Sequence, residues 1–175
     1  MVGARNMKMS RINDQSFSGA KLTIINIANK MPKWVIDACD EYLKRINHGK
    51  YSCKVVEIKA DKNPNKSGLE NMAAEAKKIV AVIPTGSFIV ALDEKGLKLN
   101  SQEFAANLDQ ITTKSSQVTF IVGGADGIHP DLKSKANQIL QLSSLTFPHA
   151  LVRVIILEQL YRSISILNNH PYHRN

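Results

Sequence analysis

Cysteine is nearly missing from this chain: Cys39 and Cys53 are the only two among 175 residues. Their spacing matches no metal-ligand pattern, so they read as buried free thiols of a protein in a reducing cytoplasm. Long hydrophobic runs are missing as well. The longest, "SFIVAL" and "VIILEQL", are too short and too soon interrupted to cross a bilayer, which excludes a membrane-spanning role. The first twenty residues, "MVGARNMKMSRINDQSFSGA", lack an apolar h-region and do not read as a secretory signal. They read as a polar, mobile extension or a cloning remnant outside the fold. Acid is scarce relative to base, with 15 Asp and Glu against 23 Lys and Arg, a formal net charge of +8. Such a surplus favours polyanionic partners through phosphate contacts and counterion release. It also suits a protein that is merely basic, and charge alone does not separate the two.

What is present suits one domain, residues 21–175, around a single core: the length is right and the apolar fraction of 43% is ordinary. No internal repeat or low-complexity tract interrupts it. From Lys21 on, apolar β-rich runs alternate with amphipathic stretches. "KLTIINI" predicts a buried strand, and "MPKWVIDACDEYLKRI" a helix with Pro32 near its first turn. "SCKVVEIKA" is a second strand, "DKNPNKSG" an exposed loop, and "LENMAAEAKKIVAVI" a helix rich in strong helix formers. "SFIVALD" predicts a third strand, followed by the helix "SQEFAANLDQITT" with Ser101 as its cap and Glu103 in its first turn. Then come a strand "QVTFIVGG", a short helix "PDLKSKAN", a strand "QILQLSS" and a long final helix, with Pro148 in its first turn. Five strand–helix alternations imply an α/β sandwich with a mostly parallel sheet. Ligands of such sheets sit outside the carboxyl ends of the strands, which here means after Leu92, Val122 and Leu142.

The final helix carries apolar residues on more than one face: Leu151, Val154, Ile155, Leu157 and Leu160, joined by Val152, Ile156, Tyr161, Ile164 and Leu167. A helix on the outside of a monomer needs one stripe. Either this helix is central, or its second face meets another subunit; the breadth of the pattern favours the subunit contact.

"IVGGADGIHP" brings a strand into Gly123, Gly124 and Gly127. Glycines permit positive φ and let a ligand approach the backbone closely. A dinucleotide fingerprint would need G-x-G-x-x-G, but Val122 stands at its first position. The acidic residue expected about twenty positions on is missing too, and no Lys follows as in a phosphate-binding loop. A nicotinamide oxidoreductase and an NTPase are therefore poor fits, and a plain tight connection remains open. The chain closes on "NNHPYHRN", an unusual concentration of His170, Tyr172, His173 and Arg174 behind Pro171.

Taken together, the glycine turn, "LSSLTFPHALVRVIILEQLYRS" and the terminal "NHPYHR" resemble the ribosomal RNA large subunit methyltransferase H group of the SPOUT superfamily. The resemblance runs from about Lys21 to Arg174 and is strongest from Phe88 onward. It implies an α/β sandwich whose C-terminal part forms a deep trefoil knot, a homodimer joined through that region, and S-adenosylmethionine as cofactor without a metal. It implies methylation of N3 of a pseudouridine in bacterial 23S ribosomal RNA, on the free RNA or the assembled ribosome. The segments matching the family's cofactor pocket are Leu92, Gly123 and the run Leu142, Ser143, Ser144, Leu145, Thr146 and Phe147. Their types suit a nucleoside ligand, because leucines can sandwich adenine while backbone groups bond its edge.

Methylating N3 requires loss of the imide proton and alignment of the nucleophile with the methyl group. His173 is a candidate proton acceptor, Arg174 a cation for the imide oxygens or a phosphate, and Tyr172 a stacking ring. Arg153, early in the final helix, is a second candidate cation. His149 reads as a loop-fixing residue, and His129 and His48 as surface or capping residues. Two alternatives stay open: a SPOUT enzyme acting on another RNA nucleotide, and a non-catalytic RNA-binding factor supported by charge.

Overall fold

The computed structural model describes residues 19–170. Strand β1 (Ala20–Ala28) starts one residue ahead of the expected boundary and is apolar on both faces. Leu22 and Ile24 point into one core, Ile25 and Ile27 into the other, as the two-residue period of a strand requires. A strand buried on both faces belongs in the middle of a sheet, and β1 lies between β2 (Tyr51–Lys59) and β4 (Gln117–Val122). With β3 (Phe88–Lys98) and β5 (Gln138–Gln141) the order is β2-β1-β4-β3-β5, with every pairing parallel.

The helices divide between the two faces. α1 (Lys33–Ile46), α3 (Ser101–Lys114) and α5 (His149–Leu167) send Val35, Phe104 and Leu157 into the core around Ile24 and Phe120. α2 (Gly68–Val82) and α4 (Pro130–Ser134) send Ile79 and Leu132 against Ile25 and Ile121 on the opposite face. Cys39 and Cys53 are buried free thiols. Burial pushes Cys53 up to about 12, so it stays protonated.

α5 packs against both α1 and α3, which gives a physical reason for its wide apolar surface. Ile156, Leu157 and Leu160 are fully buried within this one chain, each side chain contributing about 1.5–3 kcal/mol of burial. Ile156 therefore belongs to the chain's own core. Leu151 and Ile155 stay half-buried outside that core, while Val154 packs partly against it.

Four expectations at element ends change. Asn100, not Ser101, caps α3: its Oδ1 accepts from the Gln102 and Glu103 amides, while the Glu103 carboxylate accepts from the Asn100 amide at 2.8 Å. Ser101 instead donates to Gln159 of α5 at 3.0 Å. β5 ends at Gln141, so Leu142 to Ser144 form loop rather than strand. β3 runs on to Lys98, with a register shift between Leu92 and Leu97 that bends it within the strand. Pro148 sits at the N-cap of α5, just outside its first turn.

Candidate functional site

Because all strands are parallel, their carboxyl ends share one edge, and three loops meet there. They are the bend after Leu92, the glycine turn after Val122 and the segment after Gln141. Together with His149 and Val152 of α5 they enclose a cavity of about 780 Å³, a size usual for small-molecule sites. Leu92, Gly123 and the run Leu142, Ser143, Ser144, Leu145, Thr146 and Phe147 all line it. Residues fifty positions apart thus meet on one wall. Leu145 is 71% exposed at the rim, where a large apolar side chain is free to cover a ligand. Its amide donates to Ser143 Oγ at 2.9 Å, which turns the loop back on itself.

The glycines of the turn serve different ends. At Gly123 a Cβ would lie 2.6 Å from the Gly127 carbonyl carbon and 2.8 Å from Ile128 Cγ1, so no side chain fits there. At Gly127 space is open but φ is +89°, a backbone state that L side chains adopt at a cost. The Gly127 amide closes the turn on the Gly124 carbonyl at 3.0 Å. Close packing of the turn on itself thus requires Gly123, and positive φ Gly127.

Several cavity residues were not anticipated: Asp93, Lys95, Lys133, Met72 and Gln141. Asp93 accepts from the Lys95 amide at 3.0 Å and from Lys133 Nζ at 2.9 Å. Burial pushes its carboxyl up, but those two donors outweigh burial and hold it below the usual carboxylate value. The pair ties the β3 bend to α4 across the cavity wall. The side-chain Oε1 of Gln141 is buried without a hydrogen-bond partner among the described residues. It is an acceptor that a bound ring's amino group could satisfy. The clue in the sequence was its place at the end of a strand; the Asp93–Lys133 contact joins residues forty positions apart and left none.

Arg153 takes a different place. It is 5% exposed, and its Nη1 lies 2.5 Å from Glu57 Oε1 of β2. Nη1 is nonetheless without a geometrically satisfied hydrogen bond, so the contact is an ion pair rather than an aligned charge-assisted bond. The guanidinium also lies against Cys39, whose thiol burial raises and Arg153 partly lowers again. Arg153 is not part of the cavity lining. His149 and Val152, on the same helix turns, are. His129 caps α4, its Nδ1 accepting from the Asp131 amide at 3.2 Å. Tyr172, His173 and Arg174 lie outside the described residues. α5 ends at a left-handed Asn169 (φ 53°), with the His170 amide donating to Ser165 O at 2.8 Å, a common way to stop a helix. Among the described residues no group of His, Cys, Asp or Glu could hold a metal, and no helix is long and apolar enough to cross a membrane.

Known proteins match this chain along most of its length. The family described as "Predicted SPOUT methyltransferase" matches residues 20–173. A protein of Neisseria gonorrhoeae named ribosomal RNA large subunit methyltransferase H is 45% identical over 155 residues, covering 87% of this chain and 98% of the relative. Proteins of the same name from Polynucleobacter asymbioticus and Burkholderia cenocepacia are 45% and 43% identical, each covering 88% of this chain and 99% of the relative. A solved structure, the SpoU methyltransferase AviRb from Streptomyces viridochromogenes in complex with AdoMet, aligns at 12% identity and a TM-score of 0.42. That alignment covers 83% of this chain and 58% of AviRb. Nearly the whole of each named relative is matched, from the first strand through the terminal segment, so the chain belongs to the ribosomal RNA large subunit methyltransferase H family of SPOUT methyltransferases.

Proposed function

We propose that this protein methylates N3 of a pseudouridine in bacterial 23S ribosomal RNA, in the cytoplasm, as a homodimer of one knotted catalytic domain. The observation that carries the reading is the convergence of Leu92, Gly123 and residues 142–147 on a single cavity at the strand ends. S-adenosylmethionine, when bound, supplies an electrophilic methyl group on a sulfonium. Leu92, Leu142 and Leu145 would hold its adenine, the glycine turn at Gly123 would border the ligand, and Gln141 Oε1 would accept from the ring's amino group. Tyr172 stacks on a base, His173 takes the proton from N3, and Arg174 stabilises the imide oxygens as charge develops there. Arg153, buried outside the cavity lining, acts as a positioning residue. Paired with Glu57 it holds the first turns of α5, from which His149 and Val152 face the cavity.

The half-buried Leu151 and Ile155 lie one turn apart on α5 and support contact with a second copy. A charge at Ile155 should weaken that dimer by burying an unpaired ion. A monomeric mass for the wild type in light scattering would overturn it.

The decisive experiment incubates the protein with S-adenosylmethionine and ribosomes lacking the modification, then maps methylated nucleotides by mass spectrometry. A methyl group on N3 of one pseudouridine is expected; a methyl group on any other nucleotide refutes the site. Deleting Tyr172 to Asn175 should leave cofactor binding intact and slow transfer by about a hundredfold or more, the usual loss when preorganised groups are removed. An unchanged rate would remove the tail from the mechanism.

A further inference from the structure

Lys59, the last residue of β2, and Lys62 and Lys66 of the loop that leads to α2 are all exposed. The one acid in the segment, Asp61, is already paired with Lys78 at 3.2 Å. Polar loops of this composition are commonly loose, but this one is braced at several points. The Asp61 amide donates to Glu75 Oε1 at 2.9 Å, and the Asn63 amide to Asn71 Oδ1 at 3.3 Å. The Asn65 amide donates to Asn63 Oδ1 at 3.0 Å, and the Lys66 amide to the Asn63 carbonyl at 3.1 Å. Ser67 and Glu70 then close a capping box at the start of α2.

The bracing leads to the cavity. Glu75 is 7% exposed, and its Oε2 lies 3.2 Å from where a Cβ on Gly124 would stand. One buried carboxylate therefore holds the basic loop and lies beside the glycine turn. Gly68, at the head of α2, lies against Asp126 of that turn, a Cβ there being 3.5 Å from Asp126 Cγ. One turn further along α2, Met72 lines the cavity itself. The loop leaves β2 at the strands' carboxyl edge, and Lys66 stands two residues before Gly68, whose neighbour Asp126 lines the cavity.

We infer that this braced loop is a docking rim for the ribosomal RNA backbone, with Lys62 and Lys66 meeting phosphates while the target base enters the cavity. Phosphate contacts fix register and orientation without reading sequence, a role suited to cations on a held loop. The rim rests on the ribosomal RNA activity of the family and adds where the RNA is gripped.

The test compares Lys62→Ala/Lys66→Ala with Lys50→Ala/Lys114→Ala, a pair of equal charge change at the opposite edge of the sheet. Both are assayed on unmodified ribosomes across a salt series, with S-adenosylmethionine affinity measured by calorimetry. For the rim variant, KM for ribosomes should rise about tenfold near physiological salt, and the log–log salt dependence should flatten by about 1.4–1.8, as expected for two lost phosphate contacts. Cofactor affinity and melting temperature should match the wild type, and the opposite-edge pair should leave KM within about twofold. Equal KM values and salt slopes for the two variants would overturn the rim. Wild-type methylation in the same assay tests the RNA activity separately.

Discussion

Adding one methyl group at Gly123 should damage cofactor binding more than the same change elsewhere in the turn. An alanine Cβ at 123 would stand 2.6 Å from the Gly127 carbonyl carbon, 2.7 Å from its oxygen and 2.8 Å from Ile128 Cγ1. The nearest atom is backbone, about 0.8 Å inside ordinary contact, so no rotamer change relieves it and the turn must open. Overpacking of this kind costs about 1–3 kcal/mol. Gly123 and Gly127 both line the cavity, so strain that displaces the turn appears as lost affinity, about 5- to 150-fold at 1.4 kcal/mol per factor of ten. Calorimetry with S-adenosylmethionine on folded Gly123→Ala measures it, alongside thermal unfolding. Gly124→Ala meets Ile27 Cγ2 at 3.1 Å and Glu75 Oε2 at 3.2 Å, both side-chain atoms, and should lose less. Gly49→Ala meets nothing within 4 Å and should be neutral. A Gly123→Ala protein with both the affinity and the melting temperature of the wild type would refute the close-approach argument.

Glu57→Ala leaves Arg153 buried without its ion partner. The cost should be about 1–3 kcal/mol in urea unfolding, below the 3–5 typical of a fully buried pair, because the Glu57 side chain is 47% exposed; an unchanged midpoint would show the pair to be idle. Asn100→Ala should lower stability by about 1 kcal/mol through loss of a cap, and Ser101→Ala by less, which a pair of thermal melts can rank. For Cys53, burial raises the folded pKa to about 12, whereas the unfolded thiol ionises near 9. Above pH 9 the unfolded chain releases a proton that the folded chain keeps, so stability falls as pH rises, by about 1.4 kcal/mol per unit. Denaturation of Cys53→Val between pH 9 and 11 should lack that part of the slope, and identical slopes would contradict the burial.

The amino-acid sequence by itself determined the elements and their order, because burial on both faces leaves its mark on each strand. "KLTIINI" has no polar face to offer solvent, and residues 20–28 became the inner strand β1. It also determined which loops form the cavity, since a parallel sheet brings its carboxyl ends to one edge whatever lies between them. The α3 cap was legible too, through spacing rather than residue type. Asn100 and Ser101 both cap well, but only Asn100 stands three residues ahead of Glu103, as a reciprocal capping box requires.

Contacts between distant segments were decided by tertiary structure alone. Breadth of apolar surface on α5 suits a central helix and a subunit contact equally, and only packing against α1 and α3 shows the first at work. Arg153 reads from its position as a cation near the cavity. Its guanidinium turns toward Glu57 and Cys39, because α1 and β2 place a carboxylate and a low-dielectric slot within its reach. Asp93 meets Lys133, and Glu75 supports Asp61 beside Gly124, for the same reason. Hydrophobic periodicity records how much of an element is buried. Which charged groups then come within 3 Å of one another depends on the docking angles of whole elements, and those are set by the core as it packs.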